Sequence, residues 1–364
     1  MTTAKPITFY VHSAWRGRWI HTPLLNPWWG NPLTESSLFT KQLFDTYAYD
    51  TEYYTITENV ETADVVLAPY PHSWLLQHDK ALLDECVRVA EQAGRPLLID
   101  GTGDVEHPVG IQNAFVLRYG GYRFLKERGR IQIPPLADDL LERCRGGQLA
   151  IRTKREGKPS VGFAGWGALS SMQYIRAVAK ELPTRLHSVF DARYRACSKG
   201  IFWRQRAIGI LQRSPLITCH FRTRRSFSGS AKTAEGDQRE LREQMVDTIL
   251  ESDYALDVRG DANNSARLFE ILSLGRIPVI LDTERIFPFS DKVDYSSFAL
   301  VIDFHDISRM PELVAEFHRN ISPEHYERMQ KNARDAYVNY FRMDALMRHI
   351  VEELWTKLPR PKSR

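Results

Sequence analysis

An α/β protein built from two Rossmann-like lobes that face each other across a cleft is the fold the sequence predicts. Three observations carry that expectation. Short, strongly apolar runs alternate with segments of helical periodicity, as in parallel sheets covered on both faces. The alternation restarts in mid-chain after a basic, glycine-containing stretch, RCRGGQLAIRTKREGKPS. At 364 residues the chain also exceeds the size at which one hydrophobic core usually stops growing.

In order along the chain, ITFYVH (7–12) reads as the opening strand. SAWRGRWIHTPLLNPWWGNPLTESSLF follows, too rich in Pro, Gly and Trp for regular structure and too apolar for a solvated linker. ADVVLAPYP is a strand running into a turn, QHDKALLDECVRVAEQAG an amphipathic helix ended by Gly94, and RPLLIDGTG a strand ended by a glycine loop. A boundary is placed near residue 155, where VGFAGWG starts as a fresh first strand. SPLITCH is then a strand, QRELREQMVDTILES a helix, DYALDV a strand, SARLFEILSLG a helix, and IPVILD and FALVID strands. SPEHYERMQKNARDAYVNYF and DALMRHIVEELWTKL are long terminal helices. Ligands in sheets of this kind bind outside the carboxyl ends of the strands.

Composition narrows the function classes. With 43% hydrophobic and 26% charged residues and no short-period repeat, the chain is neither disordered nor a solenoid. A net charge of +4 permits an anionic ligand but lacks the dense basic footprint of a nucleic-acid binder, so no nucleic-acid partner is expected. No run approaches the ~18 to 20 apolar residues of a membrane span, and the N-terminus lacks the apolar core of a signal peptide; a cytoplasmic location is expected. Cys86, Cys144, Cys197 and Cys219 form no CxxC pair, which argues against a disulfide framework or a zinc cage.

The stretch YALDVRGDANNSARLFEILSLGRIPVILD (254–282) carries the chemistry. Its strand brings the chain to the carboxyl edge of the second sheet, and Gly260 and the small polar residues beyond it allow a tight turn. Asn263, Asn264 or Ser265 is placed to cap the next helix, whose free N–H groups and positive dipole end then form an anion site. Arg267 in the first helical turn is unfavourable to the dipole unless a phosphate lies in front of it. Glu270, one turn on, is positioned to accept hydrogen bonds from ribose hydroxyls. An ordinary capped helix with a solvated Arg267–Glu270 pair is the competing reading.

With those residues in place, DYALDVRGDANNSARLFEILSLGRIPVILDTERIFPFSDKVDYSSFALVI resembles the C-terminal signature of the exostosin-type glycosyltransferases (family GT47). The close similarity covers residues ~241 to ~345 and extends loosely forward through KPSVGFAGW and ADVVLAPYP. Arg276 stands where the family pattern has cysteine, and Ile271 where a small residue is common. The resemblance implies a GT-B fold and an inverting transfer from a nucleotide-diphospho-sugar held by the C-terminal lobe, with Arg259, Gly260, Asn264, Ser265, Arg267 and Glu270 on the donor. It divides the chain into an acceptor-binding lobe (1–155), a donor-binding lobe (156–340) and a terminal helical segment (341–364) packing back on the first lobe. Eukaryotic members carry a membrane anchor and stem that are not evident here, which points to a bacterial or viral cytosolic enzyme. The absence of any Asp-x-Asp sequence agrees with a site that requires no metal cofactor, in which arginine, lysine and helix dipoles stabilise the departing diphosphate.

A second source of positive charge lies between Leu182 and Ala234, where Asp191 is the only acid and arginines recur at 185, 193, 195, 204, 206, 213, 222, 224 and 225. Of Arg222, Arg224, Arg225 and Lys232, which follow the strand read from SPLITC, Arg225 and Lys232 are the chosen donor contacts. The general base is expected from the acceptor lobe. Asp104 is preferred, because Gly-Thr-Gly carries it out over the strand edge, with Glu35 and His12 open alternatives and Asp100, Glu106 and His107 in the same stretch. Of the group Trp15, Trp19, Trp28, Trp29 and Trp74, Trp15, Trp28 and Trp29 are assigned to an acceptor platform, since indole faces stack on sugar rings.

The expected partners are therefore a nucleotide-sugar donor and a glycan acceptor on a polysaccharide, glycoprotein or lipid carrier. The basic tail LPRPKSR allows contact with the inner face of an anionic membrane. A fucosyltransferase-like enzyme using a GDP-sugar and a non-catalytic glycan- or nucleotide-binding module are the alternatives.

Overall fold

The computed structural model describes residues 5–33, 38–226 and 236–358. It contains two wholly parallel sheets with helices in the longer connections. The first runs β2-β1-β3-β4-β5-β6, made of β1 (Ile7–Tyr10), β2 (Tyr54–Thr57), β3 (Val65–Leu67), β4 (Leu97–Asp100), β5 (Ala114–Arg118) and β6 (Arg130–Gln132). Of these, β4, β5 and β6 follow one another without an intervening helix. The second runs β11-β10-β9-β7-β8, made of β7 (Ser160–Trp166), β8 (Thr218–Arg224), β9 (Tyr254–Asp257), β10 (Pro278–Asp282) and β11 (Leu300–Asp303). Each lobe thus has the doubly wound order in which the second strand lies outside the first, with a reversal of winding beside the first strand.

The central strands are apolar because both faces are covered: β4 (LLID), β5 (AFVLR), β9 (YALD) and β10 (PVILD) are buried throughout. Edge strands obey a weaker constraint. β8 begins four residues beyond the start of SPLITCH and takes in His220, Phe221, Arg222, Thr223 and Arg224, with most of its side chains exposed or half-buried. Helix Gly200–Arg213 occupies the preceding residues and ends at Ser214. The segment read as one helix over 77–94 is two, His72–His78 and Lys80–Gln92, because the Asp79 carboxylate caps the second by accepting from Leu82 N.

The lobes touch at their carboxyl ends. The Arg123 guanidinium reaches Asp282 at 2.8 Å and the Arg285 carbonyl at 2.9 Å, and Asn263 Nδ2 donates to Gly121 O at 2.9 Å. Helix Met343–Lys357 lies in the core of the first lobe, where Leu346, Ile350 and Leu354 share a cluster with Phe9, Val65 and Ile99. Its Trp355 Nε1 donates to Lys5 O at 2.6 Å.

Candidate active site

In the second lobe the winding reverses between β7 and β9, so the crevice is formed by the loops that follow these strands. The backbone there is closely packed. Gly165, at the end of β7, has φ +152°, and any side chain would meet the Arg267 guanidinium. Gly200 opens helix Gly200–Arg213 directly against the loop after β9; an added Cβ would lie 2.0 Å from Gly260 O. Helix Ala266–Ser273 then starts at Ser265, whose extended backbone (φ −154°, ψ 116°) suits an N-cap but whose hydroxyl makes no capping bond. Among the described residues no side chain caps this end, which suits the first-turn amides to an anion.

Arginines surround this crevice. Arg267 donates through Nη1 to Ala164 O at the end of β7 and through Nε to Glu270 at 2.9 Å. The pair is half-buried, with 21% and 16% side-chain exposure, so it is not the solvated surface pair of the competing reading. Arg204, which the sequence did not single out, reaches the same place from helix Gly200–Arg213, with long contacts to Val258 O (3.4 Å) and Trp166 O (3.3 Å). Burial, then the Arg267 charge, push Arg204 down to about 10, and the Asp257 and Asp261 carboxylates offset this only in part. Arg224, the last residue of β8, is likewise lowered by burial and by the charges of Arg267 and Arg222; it donates to Leu241 O and Gln244 Oε1. The Arg267 charge thus bears on both Arg204 and Arg224, a concentration of positive charge suited to an anion.

Other donor-side expectations are revised. Arg259 is only 2% exposed, and its guanidinium is spent on the carbonyls of Ala196, Gly260 and Asp261 and on the Tyr122 hydroxyl. It shapes the loop and ties it to the first lobe, with four of its five N–H donors engaged by the protein. Glu270 has one oxygen on Arg267 and the other 3.9 Å from the Arg242 guanidinium, so a ribose would share it with both. Gly260 N donates to Asn264 O, which closes the turn, while Asn263 is buried between Gly121 O, Thr283 O and the Thr283 hydroxyl. Arg225 stands exposed just beyond β8. Lys232 and Glu35 lie outside the described residues.

Across the crevice, Asp104 is exposed, close enough to the opposite lobe for the Asp261 carboxylate to act on it. Burial raises its carboxyl above the ordinary aspartate value, and the Asp261 carboxylate of the opposite lobe raises it further. Glu106 hydrogen-bonds Arg130 at 3.1 Å through one oxygen; its other oxygen lines Gly120 together with Asn263 N and Asn264 Nδ2. His12 is unsuited to the role of base as placed. Its Nδ1 accepts from Ala14 N at 3.0 Å, which leaves the proton of the neutral ring on Nε2 and no free lone pair. Asp100 is buried and its oxygens are occupied by Thr22 and Thr102.

The tryptophans also sort differently from expectation. Trp15 is buried, its Nε1 donating to Glu85 at 3.1 Å, so it fills the core instead of offering a face. Trp28 packs edge-on against Tyr54 and Trp29 against His21, both partly buried. The exposed indole is Trp19, 56% accessible, with Trp74 at 5.3 Å and His78 stacked on Trp74 at 5.2 Å. Trp19 follows β1 and Trp74 follows β3, which places this aromatic group at the winding reversal of the first sheet. Among the described residues no group of three or more His, Cys, Asp or Glu side chains is placed to hold a metal ion.

Residues 196–317 match the model of the Exostosin GT47 domain. The chain is 28% identical to Exostosin-1 homolog of Caenorhabditis elegans over 111 residues, 30% of this chain and 28% of the relative, so it aligns with about a quarter of that protein. Among solved structures it is similar to a glycosyltransferase of Rickettsia africae (9% identity, 97% of this chain and 99% of the other, TM-score 0.40). It is also similar to Anabaena HepE in complex with UDP and glucose (10% identity, 97% and 100%, TM-score 0.36). At those scores the fold rests on the sheet topology and not on the neighbours. The family match contains Arg204, Arg224, the loop after β9 and helix Ala266–Ser273, so it is over the segment that builds the crevice that the chain is similar to the exostosin-type GT47 glycosyltransferases.

Proposed function

We propose that the protein transfers a sugar, with inversion, from a nucleotide-diphospho-sugar to a hydroxyl of a glycan acceptor, without a divalent metal. The observation that carries this reading is the convergence of Arg204, Arg224 and Arg267 on the uncapped N-terminus of helix Ala266–Ser273. In the reaction, the acceptor oxygen forms a bond to the anomeric carbon while the bond from that carbon to the diphosphate oxygen breaks. The diphosphate keeps the electron pair, and its growing charge falls on the guanidiniums and helix amides. The acceptor proton passes to Asp104, on the opposite side of the crevice.

Thermal unfolding against UDP-, GDP-, CMP- and dTDP-sugars tests the donor site. One family of nucleotides is expected to raise Tm in proportion to its saturation, and the same compound to release nucleoside diphosphate when a glycan is added. No shift with any of them would overturn the reading, and a shift without turnover would leave a binding module.

The exposed Trp19, backed by Trp74, is proposed as the acceptor platform in place of Trp15. Trp19→Ala is expected to raise the acceptor KM about tenfold, the worth of one lost ring contact, with the donor KM unchanged. An unchanged acceptor KM would remove Trp19 from the site.

A further inference from the structure

Helix Ser171–Phe190 is unlike the other helices of the protein. Half of the large apolar side chains that stand exposed among the described residues belong to it: Met172, Tyr174, Ile175, Leu182, Leu186, Val189 and Phe190, the last 90% accessible. At about 100° per residue, Met172, Ile175, Ala179, Leu182, Leu186 and Val189 fall on one continuous stripe. The stripe lies opposite Glu181, which is buried and accepts from Lys199 N at 3.0 Å. The helix therefore points its apolar face directly away from the protein.

Its charges show what covers that face. Arg176 and Lys180 flank the stripe on one side and Arg185 on the other, all exposed; exposed Arg195 follows in the next turn, beside Arg193, which is paired with Asp191. The only acid of the helix is the buried Glu181. Two copies packed stripe to stripe would bring these cations together, whereas an anionic surface would neutralise them. We propose that helix Ser171–Phe190 lies in the plane of an anionic lipid bilayer, with its apolar stripe among the acyl chains and its arginines and lysine at the phosphates. The stripe spans about 27 Å, and among the described residues no helix is long and apolar enough to cross a membrane. The helix starts just after the loop that follows β7, so the bilayer meets the protein beside the crevice. The proposal stands on exposure and charge alone and is independent of glycosyl transfer.

Sedimentation of the full chain with vesicles of phosphatidylcholine, alone or mixed with phosphatidylglycerol, tests it. Binding is expected to be at least about tenfold stronger to the anionic vesicles, and to fall about fivefold per charge in Arg176→Glu and Lys180→Glu. Leu186→Ser with Phe190→Ser is expected to abolish binding while far-UV circular dichroism and Tm stay unchanged, since both side chains are exposed in the folded chain. Three outcomes would overturn the proposal: no binding to either vesicle, binding indifferent to the serine substitutions, or a dimer in solution that these substitutions dissociate.

Discussion

Arg267→Ala is expected to lower turnover by about a hundred- to a thousand-fold, the range for removing one preorganised group that stabilises developing negative charge. The expectation follows from position. Arg267 bridges the two sides of the winding reversal, from the first turn of its helix to the carbonyl of Ala164 at the end of β7. Its charge depresses both Arg204 and Arg224, so it is the shared member of the cluster. The fold should survive, because the helix is anchored by Leu268, Phe269, Ile271 and Leu272, each at most 2% exposed. Near-normal Tm combined with lost turnover and weakened nucleoside-diphosphate binding is the expected result. Arg267→Lys should recover only part of it, since a lysine supplies charge without the paired donors that fit a phosphate. Near-normal turnover of the alanine variant would remove the donor assignment.

The parallel sheets were legible because their central strands are apolar on both faces, and short runs such as LLID and PVILD are the length of strands buried in a sheet. Edge positions were not. The β8 strand reads HFRTR over much of its length because solvent makes no demand for apolar residues there, and the displaced start put Arg222 and Arg224 inside the strand instead of after it. Helix Ser171–Phe190 was hidden by Pro183 in its middle and by an apolar stripe that serves no core. Helix Ala266–Ser273 was legible from its own neighbourhood, since cap, arginine and terminal glycine are local features. Arg204 was not, because only the tertiary approach of Gly200 to Gly260 brings its helix to the crevice. Likewise Trp15 and Trp19 share one loop, and it is distant partners, Glu85 and Trp74, that make the first a core residue and the second an exposed face.

Asp104→Asn is expected to lower kcat/KM by about a hundred- to ten-thousand-fold, the range for losing a general base. Two further readouts separate catalysis from structure. The first is the pH profile. A base must be ionised, and burial and the Asp261 charge hold the Asp104 carboxyl above the usual aspartate value. The acid limb of kcat/KM in the native protein should accordingly lie higher than an ordinary aspartate would give, and move down in Asp261→Asn, which removes the facing charge. The second is stability. A carboxyl whose folded value is raised contributes stability that is fully present below its unfolded value and is lost as pH rises through the folded one. Above that window the ionised Asp104 works against folding, and the uncharged asparagine does not. Asp104→Asn should therefore be as stable as the native protein or more so at neutral pH, with no such advantage in acid, while losing activity. A variant that loses activity and Tm together at neutral pH would show that Asp104 holds the loop in place, and the base would then have to be sought elsewhere on the first lobe's carboxyl edge.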